Sequence, residues 1–428
     1  MLIYFKVGNY KSIKDPVVIN FTATAINELR HSNTFRKNKT DLLRTVLMYG
    51  ANAGGKSNVI EALVFFRYFI LSSATQRTSK ASIRTVPFAL STETQEGPSL
   101  FEAEFIIGQA TYRYGFEADQ QEIKKEWLLE VRATTEKPLF LRIGQNFEID
   151  YKRFENTERL EEKTRPNALF LSVADQWNAP LAQKIINWFD SIYTIHGMMD
   201  DVFRDYTTEL LKDPSYQEII NSMIQTADLG INSIEAMLIS DELRSTVINS
   251  LSEGESEVIR KNMEDDPTPI VTYHGVYDKN GKVVDQVPFT LRSQESEGTR
   301  KYYNLIGVLL LAIIHGRLVI IDELDARMHS LLSKAIIQLF NSEEIHSEAQ
   351  LLAVSHDTAL LDNKLIRRDQ VYLAEKDNFG ATKLAPLVIY KIRKESPFDK
   401  NYLEGKYGGI PFIKNLDKLI RNAQKEPQ

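Results

Sequence analysis

The sequence predicts an α/β fold. A parallel sheet carries a phosphate-binding loop, and an antiparallel β subdomain and a helical insert are attached to it. Three observations lead there. Gly50-Ala51-Asn52-Ala53-Gly54-Gly55-Lys56-Ser57 matches the pattern GxxxxGK[ST] without a mismatch. Leu318-Val319-Ile320-Ile321 is a continuous apolar run that ends in Asp322-Glu323, as expected of a strand buried on both faces. A second such run, Leu351-Leu352-Ala353-Val354, ends in Ser355-His356-Asp357.

The elements follow in chain order. Met1-Leu2-Ile3-Tyr4-Phe5 reads as a strand and lacks the layout of a signal peptide. Arg36-Lys37-Asn38-Lys39 reads either as a solvated loop or as a nucleic-acid or nucleotide contact. Val46-Leu47-Met48-Tyr49 leads into the glycine-rich loop as a buried strand, and Asn58-Val59-Ile60-Glu61-Ala62-Leu63 leads out as a helix. Gly50, Gly54 and Gly55, with Asn52 between them, let backbone N–H groups face a phosphate, and the helix N-terminus adds a favourable dipole. Lys56 is placed to reach the β- and γ-phosphates, and Ser57 to hold Mg²⁺.

Leu90 to Pro98 reads as a loop. The alternating segments Phe101–Ile107 and Thr111–Glu117 then form an antiparallel hairpin around Gly108-Gln109-Ala110. From about Lys184 to Lys261 the pattern is helical, with charged faces such as Asp241-Glu242-Leu243-Arg244. This insert is too short, and too poor in heptads, for a long coiled coil. Ile270–Tyr277 and Val283–Phe289 bracket Lys279-Asn280-Gly281-Lys282, a hairpin signal.

Ser293 to Arg300 opens a helix running from Tyr302 through Ile314 and closed by His315-Gly316. Asp322 fits a second Mg²⁺ contact, and Glu323 fits the group that orients or deprotonates an attacking water. The expected organisation is a first lobe over 1–155, a helical insert over 156–265 and a second lobe over 266–428.

Composition narrows the function. The chain has no cysteine, which excludes disulfides and cysteine zinc sites and suits a reducing cytoplasm. No apolar run approaches the roughly 20 residues that span a bilayer. The formal net charge of -6 gives no support for a general nucleic-acid coat. The histidines show no HxxxH or HxH pair, so no metal is indicated beyond Mg²⁺.

Phosphate loop, S-x-G helix start, strand-Asp-Glu, Asp loop and strand-His, in that order, resemble the head of an ABC-type ATPase of the RecF/SMC-like branch. More narrowly, the chain resembles the ATP-binding proteins of the RloA and AbiL abortive-infection type and, more loosely, the ATPase of the PARIS phage-defence system. The residues behind the narrow match are Phe5 to Ile13, Asp322-Glu323-Leu324-Asp325, Ser355-His356-Asp357 and the tail Tyr402 to Pro411.

The resemblance implies an ABC-ATPase head that binds ATP and Mg²⁺. Ser296 and Gly298 would press on the γ-phosphate of ATP held by a partner subunit. Asp325 would lie in the loop crossing the dimer seam, and His356 would contact the γ-phosphate. Lys11 and Ser12 would line the nucleotide on the base side. Gln176, after the apolar run Ala168 to Val173, is the candidate for the glutamine linking the Mg²⁺ site to the helical lobe; the alternative is a surface glutamine at a strand end. Glu295 and Glu297 depart from the usual Leu and first Gly of the signature.

An ATP-driven switch follows from this resemblance. Two heads, or a higher even oligomer, would close on ATP and control an effector, a nuclease or toxin, encoded by a neighbouring gene. One alternative is a self-contained nuclease of the overcoming-lysogenization type, which needs a DxD pair that does not occur after His356. The other is a RecF-like DNA-repair ATPase, against which the acidic balance and short insert count.

Overall fold

The structure is a computed structural model that describes residues 1–75, 78, 80–132, 135–227, 229–237, 266, 268–390 and 397–409. Strands β1 (Leu2–Gly8) and β2 (Val17–Asn20) open the chain, followed by β3 (Thr34–Lys37), β4 (Thr40–Leu43) and β5 (Thr45–Gly50). A meander comes next: β6 (Ser99–Ile107), β7 (Ala110–Ala118), β8 (Ile123–Arg132), β9 (Thr135–Ile143) and β10 (Asn146–Ile149). β11 (Tyr193–His196) and β12 (Ser233–Ala236) precede the hairpin β13 (Ile270–Tyr277) and β14 (Val283–Thr290). β15 (Leu318–Asp322), β16 (Gln350–Val354), β17 (Val371–Lys376) and β18 (Thr382–Pro386) follow.

The central sheet has the order β11-β15-β16-β5-β17-β18. It is parallel except at the β17–β18 hairpin. β5, β15 and β16 are buried along their whole length. That explains their continuous apolar runs, because both faces of a parallel sheet are covered. Alternate residues feed two cores. Val46, Met48, Ile320, Leu352 and Val354 enter one; Leu47, Tyr49, Val319, Ile321, Leu351 and Ala353 enter the other.

The first core is shared with an antiparallel sheet of order β10-β9-β8-β7-β6-β1-β2. The helix Lys56–Ser72 contributes to the same core. Its Phe66 ring lies 5.6 Å from Phe5, 5.6 Å from Phe116 and 5.5 Å from Phe189. Such pairs each add about 1 kcal/mol beyond area burial. The expected hairpin is β6–β7, paired from Ser99↔Ala118 to Ile107↔Ala110.

The second core holds the helix Glu297–His315, with Ser296 as its N-cap and Gly316 as its C-cap. Gly316 takes φ 64 and returns its N–H to the last turn, the left-handed stop the sequence signals. Helices Arg204–Lys212 and Pro214–Thr226 cover this helix. Thr207 fastens them: its Oγ1 donates to Tyr303 O at 2.8 Å and accepts from Gly307 N at 2.9 Å.

Two differences from the sequence reading have local causes. The run Ala168 to Val173 leads into a helix, Phe170–Gln176. The buried Glu126 carboxylate accepts from Phe170 N at 2.7 Å and Leu171 N at 3.0 Å, which satisfies two free N–H groups at the helix start. β11 falls inside the range expected for the insert, yet it pairs with β15 in the central sheet. The charged face Asp241 to Arg244 lies outside the described residues, as do Ile410 and Pro411. Among the described residues no helix is long and apolar enough to cross a membrane.

Candidate functional site

The parallel strands bring their carboxyl ends to one edge, where ligands of open α/β sheets bind. β5 ends at Gly50, and the turn to Gly55 feeds the helix that begins at Lys56. Two glycines are required by shape. Gly50 has φ 149, and a Cβ there would lie 2.1 Å from Ala374 O of β17. Gly55 has φ 99, and a Cβ there would lie 1.9 Å from Thr382 Oγ1. Gly50→Ala is expected to lower stability by about 3 kcal/mol, since a backbone carbonyl cannot move aside. It should also abolish nucleotide binding. Thermal unfolding and equilibrium titration with ATP check both effects.

The loop, Asp322, Glu323, Val354, His356 and Lys376 enclose a cleft of about 490 Å³. Lys56 is 4% exposed. Its Nζ donates to Gly50 O at 2.8 Å and Ala51 O at 3.0 Å. Burial pushes its ammonium below the usual lysine value, while Asp322, Asp325 and Glu323 oppose that shift. Asp322 is buried, and its Oδ1 has no hydrogen-bond partner. Burial raises its carboxyl above the ordinary value and the Glu323 charge adds to that, while a Ser57 hydrogen bond and the Lys56 charge act the other way. An unpartnered buried carboxylate oxygen beside a serine hydroxyl fits a hard divalent cation. Ser57 and Asp322 therefore suit Mg²⁺.

Glu323 has φ 56, a conformation that costs a non-glycine residue free energy and is concentrated at functional sites. His356 lines the same cleft, and its backbone N–H donates to the Asp325 carboxylate at 3.2 and 3.3 Å. Burial, then the Lys56 charge, lowers the imidazole pKa. The ring is therefore neutral at pH 7 and has one N–H to donate.

The sequence profile of one protein family, described as "AAA domain, putative AbiEii toxin, Type IV TA system", matches residues 46–362. The chain belongs to this AAA family. The match runs from β5 past His356, so it contains Lys56, Ser57, Ser296, Asp322, Glu323 and His356 and leaves out Lys11 and Ser12. No curated protein sequence matches. Among solved structures the chain is similar to an SMC head domain from Thermotoga maritima (13% identity, 90% of this chain and 98% of that chain covered, TM-score 0.39). It is similar to the Smc head domain with an extended coiled coil bound to the C-terminal domain of ScpA, derived from Pyrococcus furiosus (13%, 90% and 95%, TM-score 0.36). It is also similar to an Smc head domain with a coiled coil and joint from Pyrococcus yayanosii (10%, 95% and 99%, TM-score 0.37).

Not every expected residue of this AAA chain reaches the cleft. Ser296 is exposed and caps its own helix, accepting from Thr299 N at 3.1 Å. Neither Ser296 nor Gly298 lines the cleft. Lys11 forms an ion pair with Glu61. Ser12 Oγ meets Thr382 Oγ1 at 2.7 Å and accepts from Asn58 Nδ2 at 2.6 Å. Ser12 thus braces the loop at Gly55, and neither residue lines the cleft. Gln176 is a correction. It is exposed at the end of the Phe170–Gln176 helix and does not line the cleft, because the segment after Ala168 coils instead of extending toward it.

Four residues near the site escaped the sequence reading. His196 ends β11 in register with Asp322. Its Nδ1 accepts from Met198 N at 3.3 Å, which leaves Nε2 as the ring's other polar atom. Thr382 donates to Gly54 O at 3.2 Å. Lys376 lines the cleft from the end of β17. Lys301, in the Ser296-capped helix, reaches the turn that follows Glu323. β11 is four residues long, so no periodicity could mark it.

Proposed function

We propose that this chain is a Mg²⁺-dependent ATPase that closes head to head with a second copy on ATP and switches a partner effector in anti-phage defence. The observation that carries the reading is convergence: Lys56, Ser57, Asp322, Glu323 and His356 line one cleft, while Ser296 faces solvent outside it. A second subunit would supply the missing signature.

The chemistry follows from the residues present. The loop N–H groups and Lys56 bind the β- and γ-phosphates. Ser57 and Asp322 would hold Mg²⁺, which when bound supplies charge neutralisation to the phosphates. Glu323 orients a water for attack on the γ-phosphorus and takes its proton as the new P–O bond forms and the bond to the bridging oxygen breaks. Neutral His356 donates to a γ-phosphate oxygen, and Ser296 of the second copy does the same from the opposite side. ADP and phosphate are the products.

The defence reading rests on the likeness of Phe5 to Ile13, Asp322 to Asp325, Ser355 to Asp357 and the tail Tyr402 to Pro411 to the RloA and AbiL type and, more loosely, to the PARIS ATPase. The family description itself names a toxin of a type IV toxin–antitoxin system. The tail is built onto the nucleotide loop: Tyr402 packs on Tyr49 at 6.1 Å and donates to Gly409 O at 3.1 Å, and Gly409 N donates to Glu375 at 3.0 Å. The effector is the product of a neighbouring gene, a nuclease or toxin, and the chain works in the cytoplasm.

Expression of the chain alone, the chain with its neighbouring gene, and the pair with Lys56→Ala, each challenged with a phage panel, tests this. Protection is expected from the intact pair alone, because ATP turnover gates the effector. Toxicity or metal-dependent nucleic-acid cleavage by the purified chain would overturn the switch reading.

A further inference from the structure

Lys301 has no part in the chemistry above, yet it is 0% exposed. A lysine is rarely buried unless its ammonium is fully partnered. Here all three N–H donors are used. Nζ donates to Glu323 O at 3.1 Å, Leu324 O at 3.1 Å and Ala326 O at 2.6 Å. The acceptors are the carbonyls of one tight turn.

That turn begins at Glu323, with φ 56, and ends at Arg327, with φ 61. It carries Asp325, whose carboxylate holds His356 N. Two non-glycine residues in left-handed conformations persist only where surrounding contacts over-determine them. The convergent carbonyls of Glu323, Leu324 and Ala326 would repel one another without a cation between them. The lysine comes from the helix that Ser296 caps, less than two turns further on. At the first turn of that helix, a Cβ on Gly298 would lie 3.0 Å from Arg327 O, so helix and turn are also in direct contact.

We infer that Lys301 is a positioning residue that fixes the Glu323–Arg327 turn and ties it to the Ser296 helix, coupling the two ATP sites of a dimer through each subunit. The inference rests on the ATPase reading. In a closed pair, the Ser296 helix of one subunit serves the partner's nucleotide, while Glu323 of the same subunit serves its own. Lys301 joins the two, so engagement of one site bears on the attacking group of the other.

The experiment measures ATP turnover against ATP concentration for wild type, Glu323→Gln, Lys301→Met and Lys301→Arg, with equilibrium ATP binding on each. Lys301→Met is expected to lower kcat by about 10- to 100-fold, the scale of a misplaced catalytic group. KM should stay within about two-fold, because the phosphate loop is untouched. The Hill coefficient should fall to about 1 as the sites uncouple. Lys301→Arg keeps the charge and should recover part of kcat.

A pH profile adds a readout that tolerates failure of Lys301→Met to fold. Burial brings the Lys301 ammonium down to about 8; Asp200, Asp325 and Glu323 face it with favourable charge and Arg327 with unfavourable charge. A neutral amine retains two N–H donors for three carbonyls. Wild-type kcat should therefore fall as the pH rises through about 8, and Lys301→Arg should lack that decline. Superimposable profiles up to about pH 9.5, or an unchanged kcat in folded Lys301→Met, would overturn the inference. Absence of turnover in wild type would instead overturn the ATPase reading.

Discussion

Glu323→Gln protein should bind ATP as wild type does and hydrolyse it about 10²- to 10⁴-fold more slowly, the range lost with a general base. The amide is isosteric, so the φ 56 turn and its Lys301 contacts persist. Binding depends on groups the substitution leaves alone: the loop N–H groups, Lys56, Ser57 and the unpartnered Asp322 oxygen. Phosphate release and equilibrium titration with ATP separate the two effects. Lys56→Ala should do the reverse and weaken binding first. Wild-type turnover in Glu323→Gln would remove Glu323 from the mechanism.

Ser296→Arg should leave each head able to bind ATP and abolish hydrolysis, a loss of at least about 10²-fold if the partner's phosphate must occupy that space. The side chain is exposed and outside its own subunit's cleft, so bulk there cannot obstruct binding in cis. Ser296 is also the helix N-cap, and its loss costs about 1 kcal/mol of stability. Ser296→Ala controls for that term. An isologous dimer permits a complementation test. Mixed with Lys56→Ala at equal amounts, Ser296→Arg should regain at most about a quarter of wild-type turnover, because each heterodimer has one intact composite site and half of all dimers are heterodimers. Loss of ATP binding by Ser296→Arg alone, or no recovery on mixing, would place Ser296 in cis.

Local chemistry made much of the site legible. Gly50 to Ser57, Asp322-Glu323 and Ser355-His356 each join an apolar run to polar groups within a few residues, and in the fold each sits at a strand end. The strand neighbours were not legible. β5 lies between β16 and β17, which come some 300 residues later. Gln176 misled because the residue that starts its helix, Glu126, is 44 positions upstream of Phe170. Lys301 reads in sequence as one more charged residue on an otherwise apolar helix, whose natural place is solvent. Only the fold shows three carbonyls gathered around it. Lys11 and Ser12 show the opposite limit. The resemblance implies a place beside the nucleotide for both, and only the fold shows Glu61 paired with Lys11 and Thr382 bonded to Ser12.

The position of β5 has a consequence for synthesis. Its two flanking strands, reached through Thr45↔Leu351 and Leu47↔Val371, emerge from the ribosome long after it does. At about 5–20 residues per second, the phosphate loop waits tens of seconds for β16, and then for Ala374, whose carbonyl abuts Gly50. Through that interval the nascent chain can complete the meander and the aromatic packing around Phe66, while an apolar central strand stays unpaired and prone to aggregate. Nucleotide affinity thus arrives late in translation.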